Sequence, residues 1–467
     1  MIDIKTIQHI YFIGIGGIGM SALARYFHFH GKQVSGYDKT AGPVSRALET
    51  EGIAIHYTDD PAQIPAQTDL VVYTPAIPAG MKELDHCRQA GLPVLKRSEV
   101  LGIITAASYN ICVAGTHGKT TISTMIAHIL RDSGYGCNAF LGGIATNYNS
   151  NYWSSERELA VLEADEYDRS FLQLHPDIAV ISSMDPDHLD IYQTGSNLEE
   201  AFVEFAKKLK ENGRLLVRLG LEKHFPNTAL LTYSVNDNRS DIYASEIKSL
   251  AGGYEFSVVG PGWTVPGLTM NMGGLHNMGN MIIAVAIAHM QGIDDEAIRK
   301  AVASFQGVKR RFERIAHNAA VSPTVSYIDD YAHHPGELDA LISGARDSYP
   351  GHELLVIFQP HLYSRTKDFA DGFAESLDKA DTVILLPIYP ARELPMEGVS
   401  SEMIASRMQQ QPNIIERDAI PEYVSRLLEK RKSIKPLLIV TVGAGDIDRL
   451  VAPLKEQIEQ LHKVLPA

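Results

Sequence analysis

Short apolar runs alternate with longer amphipathic stretches along this chain. The first hundred residues alternate runs such as HIYFIGIG and DLVVYTPAI with the stretch MSALARYFHFHG. Short β-branched runs predict buried strands, and apolar residues spaced three and four apart predict helices. Strands that alternate with helices form a parallel sheet joined by right-handed crossovers. The pattern therefore predicts an α/β fold with a mainly parallel sheet.

The same alternation restarts twice, which predicts three α/β domains. A second series begins at YNICVAG and continues through TTISTMIAHILRDSG to the runs ELAVLEAD and IAVISSMD. A third series follows AVASFQGVKRRFERI and includes TVSYIDDYA, ELLVIFQP, TVILLPIY and LLIVTVGAG. We therefore place domain boundaries near residues 107 and 308. The length of 467 residues fits this number of domains at roughly 100–200 residues each.

Composition and charge narrow the function classes. Hydrophobic residues make up 45% of the chain and charged residues 21%, as in ordinary globular proteins. The net charge of -14 disfavours a protein that binds nucleic acid by neutralising many phosphates. Cys87, Cys112 and Cys137 form no C-x-x-C pair, which suits a reducing compartment. Because we also find no secretion leader and no membrane span, we expect a cytoplasmic protein without a membrane partner.

A glycine-rich loop follows the first predicted strand. Gly14, Gly16 and Gly19 match G-x-G-x-x-G between a strand and a helix, the context in which that pattern binds a diphosphate. Glycine lets the backbone approach the phosphates, and the helix N-terminus supplies free N–H groups. Asp38 ends the second strand, where a carboxylate can accept hydrogen bonds from ribose hydroxyls. The loop fits NAD and other nucleotide diphosphates alike, and a tight turn without a ligand is the structural alternative.

A second glycine loop, VAGTHGKTT, lies between a strand and a helix. It is a shortened phosphate loop, because Val113 stands at the first glycine position of G-x-x-x-x-G-K-[ST]. Backbone N–H groups cradle the phosphates, Lys119 reaches the terminal ones, and the hydroxyl of Thr120 can bind Mg²⁺. We therefore expect Lys119 to contact a ligand rather than the core.

Candidate metal ligands follow the next two predicted strands. Glu163 ends LAVLEAD, and His188 follows IAVISSMD in the segment DPDHLD. A carboxylate and an imidazole can share Mg²⁺ or Mn²⁺ with phosphate and water oxygens. We expect the other acids of EADEYD, which are Asp165, Glu166 and Asp168, to lie in a solvated loop.

Eight segments together resemble the Mur ligase family in order and spacing. They are GIGGIGMSALA, GTHGKTT, LEADEYDRSFLQL, DPDHLDIY, GLHNMGN, DDYAHHPGEL, FQPHLYSRT and PIYPARE. The resemblance implies a Rossmann-like UDP-sugar domain over residues 1–107 and a central P-loop ATPase domain over 108–308. It also implies a Rossmann-like C-terminal α/β domain over 309–467 that closes over the active site. It reassigns the first glycine loop from NAD to the diphosphate of a UDP-sugar.

The resemblance is nearest to family members that join L-alanine to UDP-N-acetylmuramate in cytoplasmic peptidoglycan precursor synthesis. The implied reaction uses ATP and Mg²⁺, or Mn²⁺, and passes through an acyl phosphate on the lactyl carboxylate, which the amine then attacks. A metal-bound His188 has no lone pair for the proton of the amine, so His333, His334 or Asp330 is the candidate base. Arg365 is the candidate to bind a carboxylate with its two-pronged guanidinium.

The resemblance also implies individual contacts. For the UDP-sugar they fall on Gly14, Ile15, Gly16, Gly17, Ile18, Gly19, Met20, Ser21 and Asp38. For the ATP phosphates they fall on Gly115, Thr116, His117, Gly118, Lys119, Thr120 and Thr121. The metal ligands are Thr120, Glu163 and His188. Adenine and hinge contacts are His276, Asn277, Asn280 and Arg311. The amino-acid end is surrounded by Asp330, Tyr331, His333, His334, His361 and Arg365.

Two positions depart from the family pattern. Several relatives carry a carbamylated lysine on the helix after the metal histidine, but here Phe202 and Phe205 precede Lys207. We therefore expect no modified lysine. Leu362 stands in FQPHLYSRT where some members carry a basic residue, which weakens the contacts implied at that strand end.

Other functions stay open at this point. A related ligase joins a preformed peptide to the same sugar acid, and the first loop, GIGGIGM, favours the alanine enzyme over it. An NAD-dependent oxidoreductase with an ATPase module and a nucleotide-switched binding protein are the alternatives from other classes. The sequence is silent on oligomeric state and on the choice among L-alanine, glycine and L-serine, since one methyl group is worth only about 1–3 kcal/mol.

Overall fold

The computed structural model describes residues 4, 6–78, 80–186, 189–250, 252–391, 393–431 and 433–461. The predicted metal ligand His188 and the side chain of Asp168 lie outside this described part. The chain divides into two compact units. The first holds the chain up to Ser245 with Phe256–Leu268 and Gly279–Phe305; the second holds Glu246–Glu255, Thr269–Met278 and the chain from Gln306 onward.

The N-terminal sheet carries the first glycine loop. Its elements are β1 (His9–Ile13), α1 (Ile18–Phe29), β2 (Gln33–Tyr37), α2 (Pro43–Thr50), β3 (Ala54–His56), β4 (Leu70–Tyr73), α3 (Lys82–Gln89), β5 (Val94–Lys96) and α4 (Arg97–Ala107). The strands are parallel in the order β3-β2-β1-β4-β5. Because β2 and β4 flank β1, the strand order reverses at β1 and leaves a crevice at its carboxyl end, where the glycine loop lies.

The central sheet carries the phosphate loop. Its elements are β6 (Tyr109–Ala114), α5 (Lys119–Asp132), β7 (Asn138–Ala145), β8 (Ser150–Trp153), β9 (Leu159–Glu163), β10 (Ile178–Ile181), α6 (Leu189–Tyr192), α7 (Gly195–Ala206), β11 (Arg214–Arg218) and β12 (Leu230–Tyr233). The strand order is β12-β11-β10-β6-β9-β7-β8, and only the β7–β8 pair is antiparallel among the described pairings. The loop that follows β6 therefore lies between the carboxyl ends of β9 and β10.

A smaller sheet follows that the sequence pattern does not predict. Its elements and the next two helices are β13 (Tyr243–Leu250), β14 (Gly253–Gly260), β15 (Trp263–Met270), α8 (Leu275–Met290) and α9 (Asp295–Ser304). The strand order is β13-β14-β15. Polar residues interrupt β13 and β15, so neither strand shows the continuous apolar run that marks the strands of the larger sheets.

The C-terminal sheet belongs to the second unit. Its elements are β16 (Glu313–Asn318), β17 (Val325–Asp330), α10 (Pro335–Ser348), β18 (Glu353–Phe358), α11 (Tyr363–Leu377), β19 (Thr382–Leu385), α12 (Ser401–Ala405), β20 (Asn413–Ile414), α13 (Ile420–Lys430), β21 (Leu437–Val442) and α14 (Val451–Gln460). The order is β16-β17-β21-β18-β19-β20, parallel except for β16. The predicted α/β class with mainly parallel sheets is therefore confirmed. Within the described residues, no helix is both long and apolar enough to cross a membrane.

Inside the first unit, the N-terminal sheet is fixed to the central sheet through α1 and α4. Asn151 on β8 is only 3% exposed, and its Nδ2 donates to the carbonyl of Ile18 at 2.7 Å. The Oδ1 of Asn151 accepts from the guanidinium of Arg25 at 2.9 Å. On α4, the carbonyl oxygen of Gln173 packs against Gly102. A Cβ on residue 102 would lie 2.6 Å from that oxygen, so this close contact needs glycine. These contacts fix the first turn of α1, and with it the first glycine loop.

We expect Asn151→Ala to destabilise the first unit. The change removes the hydrogen bonds of Asn151 to the Ile18 carbonyl and to the guanidinium of Arg25, and the loss of such buried hydrogen bonds costs about 1–3 kcal/mol. Urea unfolding of the full chain measures the effect. His28→Ala, on the exposed side of the same helix, is the matched control and should leave the midpoint unchanged. Equal midpoints for Asn151→Ala and the wild type would contradict the role of this contact.

Asp329 is a fully buried carboxylate in β17. It accepts a hydrogen bond from the hydroxyl of Thr441 at 2.6 Å and lies 3.3 Å from Nε of Arg310. Burial raises the pKa of Asp329 to about 7, although Thr441 and Arg310 both act to lower it. Burial also raises the pKa of its neighbour Asp330 to about 6.

Asp329 should therefore make stability fall as the pH rises. Its folded pKa of about 7 exceeds the unfolded value of about 3.9, so the folded chain binds the extra proton between those values. The contribution of Asp329 to the free energy of unfolding is complete below about pH 4 and is lost by about pH 7. Between those values it falls by up to about 1.4 kcal/mol per pH unit. We expect Asp329→Asn to reduce this slope in urea unfolding, with the remainder due to Asp330. An unaltered slope would contradict the assignment.

Candidate active site

The first glycine loop turns back on the strand that neighbours it. Gly14 has a φ of +83°, which favours glycine, and its N–H donates to the carbonyl of Tyr37 at 2.8 Å. The N–H of Ile15 donates to the same carbonyl at 3.0 Å. Helix α1 begins at Ile18 without a side-chain cap from Gly17. The N-terminus of α1 therefore offers N–H groups that suit an anion.

Asp38 supports this loop directly. One of its carboxylate oxygens accepts the N–H of Gly16 at 2.8 Å, and the other accepts the N–H of Thr40 at 3.2 Å. A Cβ on Gly16 would lie 2.8 Å from the carboxylate, so the contact needs glycine. Part of the acceptor capacity that the sequence assigns to a ribose is thus used by the loop itself.

Arg97 is a residue of this site that the sequence analysis missed. It is the first residue of α4, directly after β5, and its guanidinium packs so closely on Gly19 that a Cβ there would collide with it. The glycine loop therefore has a cation beside it as well as free N–H groups. The available signal was the position of Arg97 after a strand of the same parallel sheet, since the carboxyl ends of such strands share one edge.

Three residues predicted to contact the sugar nucleotide have buried side chains. Ile15 is 0% exposed, Met20 is 2% exposed and Ser21 is 0% exposed. The hydroxyl of Ser21 donates to the carbonyl of Ile18 at 2.8 Å. The side chains of these three residues are therefore packed inside the fold, and the N–H groups of Ile15 and Ser21 donate to the carbonyls of Tyr37 and Gly17.

The phosphate loop has the left-handed glycines that its function requires. Gly115 has a φ of +132° and Gly118 a φ of +82°, directly before α5. The hydroxyl of Ser183, after β10, accepts the N–H of His117 at 2.8 Å and bonds the hydroxyl of Thr116 at 2.9 Å. Ser183 holds the loop in shape and was not predicted from the sequence.

Lys119 is held inside the loop by an acid that the sequence analysis placed in solvent. Its Nζ lies 2.8 Å from the carboxylate of Glu166 and 2.7 Å from the carbonyl of Gly115. Glu166 is 0% exposed, so the expectation of a solvated loop is wrong for this residue. Burial acts to lower the pKa of Lys119, but the charges of Glu166, Asp165 and Glu163 outweigh it and raise that pKa. The lysine therefore stays charged, and its contact with a ligand stays a prediction.

Thr120 and Glu163 form the described part of the predicted metal site. The hydroxyl of Thr120 donates to Oε1 of Glu163 at 2.9 Å, and the N–H of Gly142 donates to Oε2 at 2.9 Å. Among the described residues, no group of three or more His, Cys, Asp or Glu side chains is arranged to hold a metal ion. Two oxygen donors beside a phosphate loop nevertheless fit Mg²⁺, which takes few protein ligands and completes its shell with phosphate and water oxygens.

The predicted adenine contacts fall in different units. Asn280 belongs to the first unit, where its side-chain oxygen lies 3.0 Å from the position of a Cβ on Gly118. His276 and Asn277 belong to the second unit. The Nδ2 of Asn277 donates to the carbonyl of Gly273 at 2.8 Å, and this side chain is 3% exposed. Asn280 is thus the one of the three that the first unit places beside its phosphate loop.

Asp330 and Tyr331 organise the start of the C-terminal site. The carboxylate of Asp330 accepts the N–H groups of Phe312 at 2.6 Å and of Ala332 at 2.7 Å. The guanidinium of Arg311 lies 5.1 Å from the ring centroid of Tyr331. Because two N–H groups already occupy Asp330, its carboxylate acts mainly on the local backbone.

His333 is better placed to accept a proton than His334. The Nδ1 of His333 lies 3.0 Å from the carbonyl of Tyr331 and 3.4 Å from Glu337, so it is the protonated nitrogen and Nε2 carries the lone pair. Burial lowers the pKa of His333, although Glu337 acts to raise it, so the ring is neutral near neutral pH. His334 caps α10 instead, where its Nδ1 accepts the N–H of Gly336 at 3.4 Å.

His361 and Arg365 lie close to His333. The rings of His333 and His361 are 6.0 Å apart between centroids, edge to face. The pKa of His361 is lowered to about 4 by burial, and then by His333 and Arg365. Arg365 acts in the same direction on His333. The structure thus brings together one permanent cation and two neutral imidazoles, which suits the binding of a carboxylate.

Both departures from the family pattern have a local structure. Phe202 and Phe205 are fully buried and pack on Phe171, with ring centroids 5.4 Å and 5.1 Å away. Lys207 follows α7 as its exposed C-terminal cap. Leu362 precedes α11 with a φ of +70°, a conformation that non-glycine residues rarely adopt.

Three descriptions of known domains match this chain in order. They are the Mur ligase family catalytic domain at residues 9–109, the Mur ligase middle domain at 113–288 and the Mur ligase glutamate ligase domain at 310–445. The UDP-N-acetylmuramate--L-alanine ligase of Porphyromonas gingivalis is 45% identical over 465 residues, covering 97% of this chain and 100% of that protein.

Two solved structures share the fold. UDP-N-acetylmuramate-alanine ligase MurC from Thermotoga maritima has a TM-score of 0.78 at 25% identity and covers 97% of this chain and 100% of that one. A murein peptide ligase from Psychrobacter arcticus has a TM-score of 0.66 at 24% identity and covers 98% of this chain and 100% of that one. Since all three family domains match in order, and the Porphyromonas relative matches over its full length, the chain belongs to the Mur ligase family.

Proposed function

We propose that this chain joins L-alanine to the lactyl carboxylate of UDP-N-acetylmuramate, converting ATP to ADP and phosphate. It is an ATP-dependent, amide-forming ligase of peptidoglycan precursor synthesis. The observation that carries the proposal is the phosphate loop, in which a charged Lys119 lies next to the Thr120–Glu163 pair. The full-length likeness to a UDP-N-acetylmuramate--L-alanine ligase supports the choice of substrates.

The first glycine loop is proposed to bind the diphosphate of the UDP-sugar. The N-terminus of α1, which begins at Ile18, supplies backbone N–H donors, and Arg97 supplies a positive charge. Asp38 holds Gly16 in place and keeps lone pairs for a ribose hydroxyl. The proposed domains keep the boundaries 1–107, 108–308 and 309–467.

The second glycine loop is proposed to bind the ATP phosphates. Gly118 to Thr121, at the N-terminus of α5, supply backbone donors, and Lys119 supplies the charge that stabilises the phosphoryl group during transfer. Thr120 and Glu163 would hold Mg²⁺, with His188 as the third residue implied by the family. Bound Mg²⁺ neutralises phosphate charge. Asn280 is the proposed adenine contact of this unit.

The reaction follows from the weakness of a carboxylate as an electrophile. A lactyl carboxylate oxygen takes the γ-phosphoryl group of ATP, which gives ADP and an acyl phosphate. The amine of L-alanine then forms the amide bond and releases phosphate. Before that attack the ammonium must lose a proton, and Nε2 of His333 is the proposed acceptor. Arg365, with His361 beside it, is proposed to bind the carboxylate of the amino acid.

The alternatives have less support. The peptide ligase with a solved structure has a lower TM-score, 0.66 against 0.78, than the alanine ligase. The match to three Mur ligase domains gives no support to an NAD-dependent oxidoreductase. The cytoplasm, where ATP and the UDP-sugar are available, is the proposed compartment.

ADP release over a small matrix of substrates tests this function. UDP-N-acetylmuramate or UDP-N-acetylglucosamine is paired with L-alanine, glycine, L-serine or a preformed L-alanyl peptide. We expect turnover that needs ATP and UDP-N-acetylmuramate together, and that is fastest with L-alanine. Turnover with the peptide but not with L-alanine would assign the recycling reaction instead, and hydride transfer from NADH would assign the oxidoreductase.

We expect the Lys119–Glu166 pair to be needed for both stability and turnover. Lys119→Met removes the cation beside the buried Glu166, and a broken buried pair costs about 3–5 kcal/mol. The double variant Lys119→Met/Glu166→Gln removes both charges, so it should recover stability but not turnover. The Glu166→Gln variant keeps the lysine but misplaces it, and we expect a loss in kcat of about 100-fold.

Urea unfolding measures the stability of these variants, and ADP release measures their turnover. Glu200→Gln, at an exposed position on α7, is the control, because it also replaces one carboxylate by an amide. A double variant as unstable as Lys119→Met would contradict the buried-pair account. Normal turnover in Lys119→Met would remove Lys119 from the catalytic residues.

A further inference from the structure

Helix α11 carries Arg365 but has no local cap. Its N-cap residue is Leu362, which offers no side-chain hydrogen bond to the first turn and has a φ of +70°. The first N–H groups of a helix need hydrogen-bond acceptors from outside the helix. A leucine with a positive φ is strained, so contacts with neighbouring residues must stabilise that conformation. The position of Arg365, two residues into the helix, therefore depends on contacts from elsewhere in the chain.

Glu393, from the loop after β19, supplies the missing cap. One of its carboxylate oxygens accepts the N–H of Ser364 at 2.9 Å, and the other accepts the hydroxyl of Ser364. Burial alone would raise the pKa of Glu393, but the two hydrogen bonds from Ser364 lower it. A charged carboxylate at a helix N-terminus also interacts favourably with the helix dipole.

The same loop holds the residues just before the helix. The N–H of Tyr389 donates to the carbonyl of Pro360 at 2.8 Å, and the carbonyl of Tyr389 accepts the N–H of Leu362 at 2.9 Å. The ring of Tyr389 stacks on His361 with a centroid distance of 5.8 Å. Tyr389 therefore holds the residues just before α11, and Glu393 holds the first turn of that helix.

Among the described residues Glu393 makes no ion pair, although its charge acts to raise the pKa of His361. Its two oxygens accept the N–H and the hydroxyl of Ser364 in the first turn of α11. Within the described residues, Arg365 makes no ion pair, and Nδ1 of His361 is buried without a hydrogen-bond partner. Both side chains thus keep hydrogen-bonding capacity for an anionic ligand, while the acid next to them is occupied by the backbone.

We propose that Glu393 is a positioning residue, which caps α11 in place of a local side chain and so holds His361 and Arg365 ready for the amino-acid carboxylate. This inference rests on the proposed function, because it assigns the carboxylate of L-alanine to that pair. It predicts that the shape of the cap at Glu393 matters more than its charge. Glutamine can keep that shape, since its carbonyl accepts the N–H of Ser364 and its amide donates to the Ser364 hydroxyl.

The test compares Glu393→Ala, Glu393→Gln and a matched control. Asp294→Ala is the control, because Asp294 caps α9 through two N–H bonds of 2.8 Å and 3.2 Å and lies outside the proposed site. We expect Glu393→Ala to raise KM for L-alanine about tenfold, with KM for ATP and for UDP-N-acetylmuramate within about twofold of wild type. Glu393→Gln should restore KM for L-alanine to within about threefold of wild type, and Asp294→Ala should lower only the melting temperature.

A second readout does not depend on turnover. The NMR signal of the His361 ring, assigned with His361→Gln, should move in Glu393→Ala and stay in place in Asp294→Ala. An unchanged KM for L-alanine, or an unchanged His361 signal, in Glu393→Ala would overturn the positioning role. Wild-type protein that does not use L-alanine would overturn the proposed function instead, and the NMR comparison would then still decide whether Glu393 positions His361.

Discussion

A lysine ammonium buried inside a phosphate loop constrains the structure around it. Such a charge is tolerated only where an anion and hydrogen-bond acceptors surround it. Here Glu166 and the carbonyl of Gly115 supply both, at 2.8 Å and 2.7 Å from Nζ of Lys119. The acidic turn after β9 is therefore as necessary to the loop as the glycines are. The same turn leaves Glu163 beside Thr120, so the charged lysine and the proposed metal ligands are set by one short segment.

This segment also links the two glycine loops. Directly after Glu166 the chain forms a 3-10 helix, Tyr167–Gln173, whose last carbonyl packs on Gly102 of α4. Helix α4 begins at Arg97, beside Gly19 of the first loop. The N-terminal and central sheets thus share one compact unit through rigid elements rather than a linker. A fixed spacing between the two loops suits a reaction in which one nucleotide's phosphoryl group moves to another's sugar acid.

The sequence predicts the parts of this site that depend on local spacing. The glycine loops can be predicted from the sequence because their glycines, lysine and threonine lie within a few residues of each other. The role of Glu166 could not be predicted, because its partner Lys119 lies 47 residues away in the sequence. An acidic run resembles a solvated loop in the sequence, and only the fold shows that Glu166 is buried. The strands of the central sheet can be predicted from their apolar runs, whereas β13 and β15 could not be predicted because polar residues interrupt them. Arg97 was missed for the same reason as Glu166, since only the sheet brings it to Gly19.

Phosphoryl transfer onto the sugar carboxylate is the central claim, because the charged lysine, the metal ligands and the shared unit all serve that step. The most direct measurement uses UDP-N-acetylmuramate with ¹⁸O in the lactyl carboxylate, together with ATP and L-alanine. Mass spectrometry of the released phosphate then shows where the oxygen goes. The account predicts one ¹⁸O atom in each phosphate, since the acyl phosphate breaks between carbon and that oxygen. Unlabelled phosphate, from enzyme that forms the amide at its normal rate, would contradict it.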